Sequence, residues 1–325
     1  MNKIIIPVLL ITVLSVNVFG ANTTFLHHFD KVTSPTLQER FTADYAAGDP
    51  VPVSITQSEL GPWPDVTSTG EVMFGSGSYK GMETYRETTQ LAFEAEDNIK
   101  YTKGSAEMWV YLTAHDMEYY MPFYLSNHTQ IRKLLVMANG SSNENVDRCW
   151  WFGKQAYSGH GGTIYHTSVY IKDEDNEIVT DQWQHLAVDW QIESSNAAEN
   201  FIRLWVDGRY VGQASDVPGW DDLAVESDAW IGVFGRDAPG TGGIRGYGDE
   251  FRSTDGLISD LYTLDGCGDF TPPAAPYQTP DYVDCADVLK HGWGSDADIS
   301  GDCYVDFEDF SEIAGGWLDC MDPAG

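Results

Sequence analysis

Alternating apolar and polar residues, interrupted by short turns, fill most of this chain and predict β-strands. Helical periodicity is almost absent before residue 282. Asp207-Gly208 follows one of the strand patterns and is typical of a hairpin turn. The pattern therefore predicts a mainly β fold, an antiparallel β-sandwich jelly roll. The clearest strand patterns are Ala106–Leu112, Leu134–Met137, Thr167–Val179, His185–Trp190 and Phe201–Val206.

Four short segments of this region follow one another in a characteristic order and spacing. They are Trp183–Val188, Arg203–Gly208, Trp230–Arg236 and Asp255–Tyr262. Together they resemble the laminin G-like, concanavalin A-like lectin/glucanase jelly roll over about residues 24–265. The resemblance implies that an opening strand at Phe25–Asp30 pairs with a closing strand at Ile258–Leu264.

The same resemblance implies a structural calcium ion between the opening and closing strands. It assigns the ligand role to Asp30 together with either Asp249 or Asp260. The segment Asp249–Arg252 is similar to an Asp-Glu-Val-Arg element of the family, whereas Asp260 falls within the predicted closing strand. The choice between them stays open, and ordinary turn carboxylates are the alternative interpretation.

Near the C-terminus, oxygen-bearing side chains recur with the spacing of a calcium-binding loop. They fall at loop positions one, three, five, nine and twelve, and the seventh position contributes a backbone carbonyl. Asp replaces the usual Glu at position twelve and Cys replaces the usual Gly at position six, so we expect modest affinity. A solvated acidic turn is the alternative. The predicted ligands are Asp298, Ser300, Asp302, Tyr304, Asp306 and Asp309.

This loop belongs to an internal repeat, because Tyr282–Val288 and Tyr304–Phe310 align at a shift of about 22 residues. The first copy lacks oxygen ligands at its early positions, and we expect it to bind no metal. Two such half EF-hands resemble the type I dockerin module of secreted polysaccharide-degrading systems, over about residues 277–322. The resemblance implies docking to a cohesin-like or cell-surface protein.

The chain ends differ in composition from the region between them. Residues 1–20 contain a lysine, an apolar run and a final glycine, and predict a secretory signal; an uncleaved anchor is the alternative. We expect a jelly roll over residues 21–268, a Pro-rich spacer over 269–281 and the dockerin-like module over 282–325. The mature protein is then secreted, extracellular or attached to the cell surface.

A formal charge of -32 on 325 residues argues against nucleic acid or an anionic membrane surface as a partner, because both would repel the chain. Calcium and neutral sugars remain compatible with this charge. Five cysteines allow two disulfides in an exported protein, and the connectivity stays open. These cysteines are Cys149, Cys267, Cys285, Cys303 and Cys320.

The sequence contains no carboxylate motif of the kind that the glucanases of this superfamily use. Glu94–Asp97 and Asp173–Glu177 are interpreted as solvated turns. His185 falls in a core strand, where a structural imidazole is the default. We therefore expect a non-catalytic protein, and an exported polysaccharide hydrolase with an unusual carboxylate pair is the alternative.

Aromatic residues in the turn-rich stretches are candidates for stacking on sugars, but packing under loops is the favoured interpretation, because large aromatic side chains usually bury themselves. Tryptophans within strand patterns are expected in the core. The favoured function is carbohydrate binding or adhesion with a calcium-binding docking tail, and a purely structural surface role is a further alternative. The loop candidates are Trp63, Trp150, Trp151, Tyr157 and Trp220; the core candidates are Trp109, Trp183, Trp190, Trp205 and Trp230.

Overall fold

The structure is a computed structural model that describes residues 21–56, 64–81, 90–114, 120–127, 132–138, 149–158, 165–176, 178–192, 197–217, 219, 229–234 and 244–278. The predicted signal segment and the whole C-terminal calcium loop lie outside these residues, as do Trp63 and Trp220. None of the helices within the described ranges has the length and apolar character needed to cross a bilayer.

Antiparallel strands make up most of the described chain, with two short α-helices and one 3-10 helix among these residues. The helices are α1 (Leu37–Arg40), the 3-10 helix (Ala197–Glu199) and α2 (Ile258–Leu261). The strands are β1 (Thr23–His27), β2 (Tyr45–Ala46), β3 (Pro52–Thr56), β4 (Asp65–Thr67), β5 (Ser78–Lys80), β6 (Gln90–Glu94), β7 (Lys103–Leu112), β8 (Tyr120–Asn127), β9 (Arg132–Ala138), β10 (Trp150–Ser158), β11 (Tyr165–Lys172), β12 (Trp183–Gln191), β13 (Phe201–Val206), β14 (Arg209–Ser215), β15 (Ala229–Val233) and β16 (Gly246–Thr254).

The described strands form two sheets that share one apolar core. Sheet A has the order β14-β13-β12-β7-β16-β1-β2, and β5 and β4 extend it from β16. Sheet B has the order β11-β10-β9-β8-β15-β6-β3. Both sheets are antiparallel, and apolar side chains from both form one cluster between them. The predicted mainly β, sandwich-like fold is confirmed.

Strand β7 illustrates how alternation builds the layers. Met108, Val110 and Leu112 enter the core, whereas the intervening positions Glu107 and Trp109 face away from it. Each of the five clearest strand patterns corresponds to an observed strand, although β11 ends at Lys172 rather than at Val179. The core between the sheets is rich in rings that stack or meet edge to face, including Phe25, Phe93, Phe123, Trp190 and Phe251.

The predicted hairpin turn connects β13 to β14. Asp207 and Gly208 have φ angles of 51° and 77°, so both central residues have positive φ, as the tight hairpin turn of type I′ requires. The Asp207 carboxylate also accepts a hydrogen bond from the backbone N–H of His185 at 2.7 Å. The turn therefore fixes the ends of three neighbouring strands.

The predicted closing strand was wrong. Strand β1 pairs with β16, and residues 258–261 form helix α2 instead. The alternation of β16 is hidden in the sequence because the strand contains a bulge between Asp249 and Arg252, with Glu250 at a φ of 52°. The bulge shifts the inward and outward positions by one residue, so the apolar pattern is not regular.

Residues 269–278, which we predicted to be part of a spacer, pack on the outer face of sheet A. Phe270 and Tyr277 are buried, and the Phe270 N–H donates to the Gly208 carbonyl at 2.8 Å. The indole N–H of Trp205 donates to the Gly268 carbonyl at 2.8 Å. Proline and alanine suggested an extended, free segment, but the aromatic residues within it provide enough apolar area to hold it on the sheet.

A substitution at Gly208 tests both the packing of residues 269–278 and the turn between β13 and β14. A Cβ at Gly208 would lie 2.1 Å from the Phe270 carbonyl oxygen, in a backbone conformation that L-residues rarely adopt. We expect Gly208→Ala to lower the free energy of unfolding by about 1–3 kcal/mol. Gly266→Ala is the matched control, because a Cβ there meets nothing within 4 Å. Equal urea denaturation midpoints for the two variants would contradict the prediction.

Candidate functional site

The outer face of sheet B has a row of aromatic and apolar side chains. Tyr124 and Leu135 lie at positions that alternate with core residues and form a separate cluster with Trp151 and Tyr170. Tyr124 faces Leu135 across β8 and β9, and Gly153 separates Leu135 from Tyr170 across β10 and β11. The row therefore crosses four adjacent strands on the side of the sheet that faces away from the core.

Two glycines let these rings lie against the sheet. A Cβ at Gly153 would come within 2.0 Å and 2.5 Å of two ring carbons of Tyr170. A Cβ at Gly232 would meet three ring atoms of Tyr124 within 2.4 Å. Each ring thus covers the backbone of its glycine. Tyr170 remains half-buried, so part of its ring is accessible, whereas Tyr124 is fully buried.

Trp151 is the other accessible ring at this end of the row. It is half-buried, and its ring centroid lies 5.6 Å from that of Tyr170 at an interplanar angle of 60°. The Lys172 ammonium lies 4.3 Å from the Trp151 ring centroid and 3.7 Å from a carboxylate oxygen of Glu174. An aromatic surface with a cation and a carboxylate beside it offers both stacking and hydrogen bonding to a ligand.

A further aromatic residue of the same face lies on β15. Trp230 lies directly opposite Glu94 on β6, and both side chains are half-buried. Its neighbours in sequence, Ala229 and Ile231, both enter the core. We call the set Tyr124, Leu135, Trp151, Tyr170 and Trp230 the sheet B row.

The sequence placed only part of this row correctly. Trp151 was a candidate and is accessible, but Trp150 is fully buried in the core. The expectation that Trp230 belongs to the core was wrong, because it lies on the outer face. The side chain of Tyr157 lies outside the described residues. Strand parity, counted from the core positions of β10 and β11, would have found Trp151 and Tyr170 together.

The centre of the outer face of sheet A contains a buried polar network. Glu107 accepts hydrogen bonds from the Arg252 guanidinium through Nε at 3.1 Å and through a second nitrogen. The Tyr262 hydroxyl donates to the other carboxylate oxygen of Glu107 at 2.8 Å. Burial and the charge of Glu107 raise the pKa of Tyr262. The carboxylate is therefore matched by one cation and one hydroxyl, and the segment after β16 covers it.

His185 and Glu250 fix the end of that segment. His185 Nε2 lies 3.0 Å from the Tyr277 hydroxyl, and Glu250 accepts from the Tyr277 N–H at 2.8 Å and contacts His28 Nδ1 at 2.8 Å. Arg252 lies 4.1 Å from the Tyr277 ring centroid. Burial lowers the pKa of His185 to about 4, against the opposing charge of Glu107, so the imidazole is neutral at pH 7. The predicted structural role of His185 agrees with this position.

These buried glutamates do not have the arrangement of a glycosidase pair. Such enzymes hold two carboxyl groups across a bound sugar. Glu107 and Glu250 instead bind Arg252, His28 and the covering segment, and both are about 1% exposed. In the predicted solvated turn Glu94–Asp97, Glu96 and Asp97 are exposed as expected, whereas Glu94 is half-buried at the end of β6.

The interpretation of the Asp173 turn was partly wrong. Asp173 is 3% exposed and forms an ion pair with Arg209, and its carboxylate also accepts from the Asn176 side chain at 2.9 Å. Glu174 and Asp175 are exposed as predicted. The charge run hid one inward residue because the chain leaves β11 directly before it, and Arg209 lies close enough to pair with it.

Two of the aspartates predicted for a jelly-roll calcium accept hydrogen bonds from backbone N–H groups. Asp30 accepts from the N–H groups of Ser76 and Gly77, and Asp249 accepts from those of Met73 and Phe74 at 3.0 Å and 3.1 Å. The two carboxylates thus hold opposite ends of one loop, residues 73–77.

Asp260 is remote from this loop. It accepts from Lys103 at 3.1 Å and from the Leu257 N–H at 2.9 Å. Asp249 pairs with Trp109, and Lys103 is roughly 20 Å farther along β7. Within the described ranges, no three Asp, Glu, His or Cys side chains come together in a way that could hold a metal ion. The predicted calcium site of Asp30 with either Asp249 or Asp260 stays a prediction.

Asp249 is also fully buried. Burial raises the pKa of Asp249 to about 8, with the nearby Glu250 charge adding to the effect and the backbone donors opposing it.

The predicted tail ligands, Asp298 to Asp309, lie outside the described residues and stay predictions. Three of the cysteines lie there too. Cys149 is buried, and Cys267 is exposed and unbridged.

Comparison with known families and structures gives one family match. The model of the concanavalin A-like lectin/glucanases superfamily matches residues 86–261, more than half of the chain. A search of the curated proteins found no match.

Two solved structures illustrate the fold similarity. Domain 4 of an extracellular GH43 arabinanase from Geobacillus stearothermophilus, in complex with arabinotriose, is 12% identical, with a TM-score of 0.45; the match covers 74% of this chain and 96% of that chain. A marine PL-14 alginate lyase from Aplysia kurodai is 8% identical, with a TM-score of 0.46; the match covers 72% and 99%.

His185 gives the buried network a pH dependence. Its pKa is about 4 in the folded chain and about 6.5 when unfolded, so the unfolded state binds the proton first as the pH falls. We expect the free energy of unfolding to decrease between about pH 6.5 and pH 4, and to decrease less in His185→Gln. Urea denaturation across this range measures the difference. Parallel pH profiles for the two proteins would show that His185 does not contribute.

Proposed function

We propose that this chain, which belongs to the concanavalin A-like lectin/glucanases superfamily, is a glycan-binding protein. The chain binds glycans through the outer face of sheet B and does not cleave them. It is exported through the segment 1–20, and the tail 282–325 attaches it, with bound calcium, to a partner or surface. The family match supports the fold, whereas glycan binding, export and attachment through the tail are our proposal.

The observation that supports glycan binding is the accessible pair Trp151 and Tyr170 within the sheet B row. Sugar rings have apolar faces that pack on aromatic rings, and their hydroxyls hydrogen-bond with nearby charged groups. Lys172 and Glu174 lie beside Trp151 and provide a donor and an acceptor. Because antiparallel strands hold the rings on a packed sheet, little side-chain freedom is lost when a ligand binds.

The net charge of the chain favours an uncharged ligand. A formal charge of -32 disfavours long acidic polysaccharides, since each additional carboxylate or sulfate would bring charge of the same sign. A neutral polysaccharide has no such cost. We therefore propose a neutral glycan as the preferred ligand of the sheet B row.

The two buried glutamates on the outer face of sheet A support binding without cleavage. Glu107 and Glu250 are covered and internally paired, so neither can reach a sugar without displacement of residues 262–278. A hydrolase with another carboxylate pair is the competing proposal. Release of reducing ends from a bound polysaccharide would favour it over binding alone.

The double variant Trp151→Ala, Tyr170→Ala tests the sheet B row. We expect its affinity for a neutral polysaccharide to fall about tenfold, which corresponds to about 1.4 kcal/mol of lost stacking. Affinity electrophoresis in gels that contain xylan, mannan or β-glucan measures this retardation.

Val53→Ser is the matched control, because Val53 is an exposed apolar residue on the edge strand β3, outside the row. We expect it to migrate as the unaltered protein does. Unchanged retardation of the double variant on every retaining polysaccharide would refute this site.

Calorimetric calcium titration of the full chain tests the tail. We expect one saturable site, lost in Asp302→Ala with Asp309→Ala, because both residues supply charged ligands of the predicted loop. Asp30→Asn serves as the comparison, since Asp30 was the predicted jelly-roll ligand. Calcium binding that survives the tail substitutions but disappears in Asp30→Asn would contradict the proposed location.

A further inference from the structure

A second set of accessible aromatic side chains lies on the outer face of sheet A. Trp183, Tyr111 and Tyr247 occupy facing positions on β12, β7 and β16. The ring centroids of Tyr111 and Trp183 are 5.6 Å apart, and those of Tyr111 and Tyr247 are 5.9 Å apart. We call these three residues the sheet A trio.

The trio differs from the aromatic residues of the core. All three rings are half-buried, whereas the neighbouring strand positions Val110 and Leu112 are almost completely buried. Sequence reasoning assigned Trp183 to the core, and this was wrong, because Trp183 has the same outward orientation as Tyr111. A contiguous group of three partly exposed rings at adjacent strand positions commonly marks a binding surface.

The positions of the three rings are fixed by neighbouring elements. Tyr247 lies over Gly70, where a Cβ would meet its ring at 2.2 Å. Tyr111 meets both neighbours at steep angles of 63° and 69°, so each contact is edge to face. The rings thus support one another, and a ligand would meet a preformed surface.

Two carboxylates, Glu71 and Asp181, lie near Tyr111. Asp181 lies two residues before β12, and its N–H donates to the carbonyl of Leu112, at the end of β7, at 2.8 Å. Glu71 follows Gly70, which lies under Tyr247, and the Glu71 carbonyl accepts from the Ser78 hydroxyl at 2.6 Å. Both side chains are exposed. Burial, then Glu71 and Asp181, raise the pKa of the Tyr111 hydroxyl, as expected for a phenol beside two negative charges.

A cation is also close to this surface. Lys80 on β5 pairs directly with Tyr247 across the sheet. Glu71 and Asp181 thus provide acceptors near the trio, and Lys80 lies on the strand beside Tyr247. Vicinal hydroxyls of a sugar donate to carboxylates and accept from an ammonium, and the C–H faces of the sugar pack on aromatic rings. A uronate or a sulfated sugar would meet the charges of Glu71 and Asp181.

We infer that the sheet A trio is a second glycan-binding site, which takes an uncharged sugar chain on the opposite outer face from the sheet B row. Each outer face of one sandwich then contacts its own sugar chain. A protein with two such faces bridges two polysaccharide strands, or two segments of one strand, without dimerisation. This site stands on its own residues and does not depend on the sheet B row.

Stoichiometry provides the test. Calorimetry of the full chain with the neutral hexasaccharides of glucose, xylose, mannose and galactose identifies a ligand, and we expect two sites per chain. Trp183→Ala removes one site, or weakens it at least about tenfold, whereas Trp183→Phe retains most of the binding. Glu71→Gln with Asp181→Asn weakens the same site, and thermal unfolding confirms that each variant is folded.

The variants of the two faces separate the possible outcomes. If Trp151→Ala with Tyr170→Ala abolishes all binding and Trp183→Ala changes nothing, the sheet B proposal stands and this inference fails. If Trp183→Ala removes the only site, the trio stands and the sheet B proposal fails. Absence of binding to all four hexasaccharides, or equal binding of hexagalacturonate at the trio, overturns the inference.

Discussion

The structure of sheet A depends on the burial of one ion pair, Glu107 with Arg252, on the outer side of the sheet. A charge on an outer face would normally be solvated, and its burial requires partners for the remaining hydrogen-bonding groups. Tyr262 supplies a hydroxyl to Glu107, and Tyr277 covers Arg252 with its ring. Removal of one member of such a pair typically costs about 3–5 kcal/mol. The segment after β16 is therefore part of the domain through residue 278.

Because this ion pair is covered by the segment after β16, part of the outer surface of the sandwich is buried and part stays accessible to solvent. The centre of the outer face of sheet A is sealed by residues 257–278, which also bind Asp189 through the Ile258 N–H at 3.0 Å. The end of the same face, at the sheet A trio, stays accessible, as does part of the sheet B row. Two groups of half-buried aromatic rings thus lie on the outward faces of the described chain, the sheet A trio and the pair Trp151 and Tyr170. We propose that both serve for binding sugars.

The sequence correctly predicted the elements whose structure follows from a single local pattern, such as alternation or a turn motif. Simple alternation located β7, β12 and β13, and the Asp207-Gly208 turn followed from the need for two positive φ angles. The bulge at Glu250 broke the alternation of β16, so a later segment was taken for the closing strand. The sequence also could not tell that the prolines after Thr271 lie on a sheet, because Tyr277 binds His185, a residue 92 positions away.

The candidate surfaces were harder to predict for a related reason. A tryptophan in a strand faces the core or the solvent according to parity, and parity must be counted from a neighbour of known burial. Trp150 and Trp151 are adjacent and face opposite sides. Trp183 and Trp190 belong to one strand but are seven positions apart, an odd offset that places them on opposite faces, so only Trp190 is in the core. Knowledge of one core position in each strand would have corrected both assignments.

Hydroxyl-radical footprinting tests most directly whether the two outward aromatic surfaces bind glycan, because it records the exposure of individual side chains. The full chain is oxidised with and without a neutral polysaccharide that retains it. We predict that the polysaccharide protects Trp151 and Tyr170 on one face and Trp183, Tyr111 and Tyr247 on the other. Trp190, which is already buried, should not change. Unchanged oxidation of all five accessible residues in the bound protein would contradict the central claim.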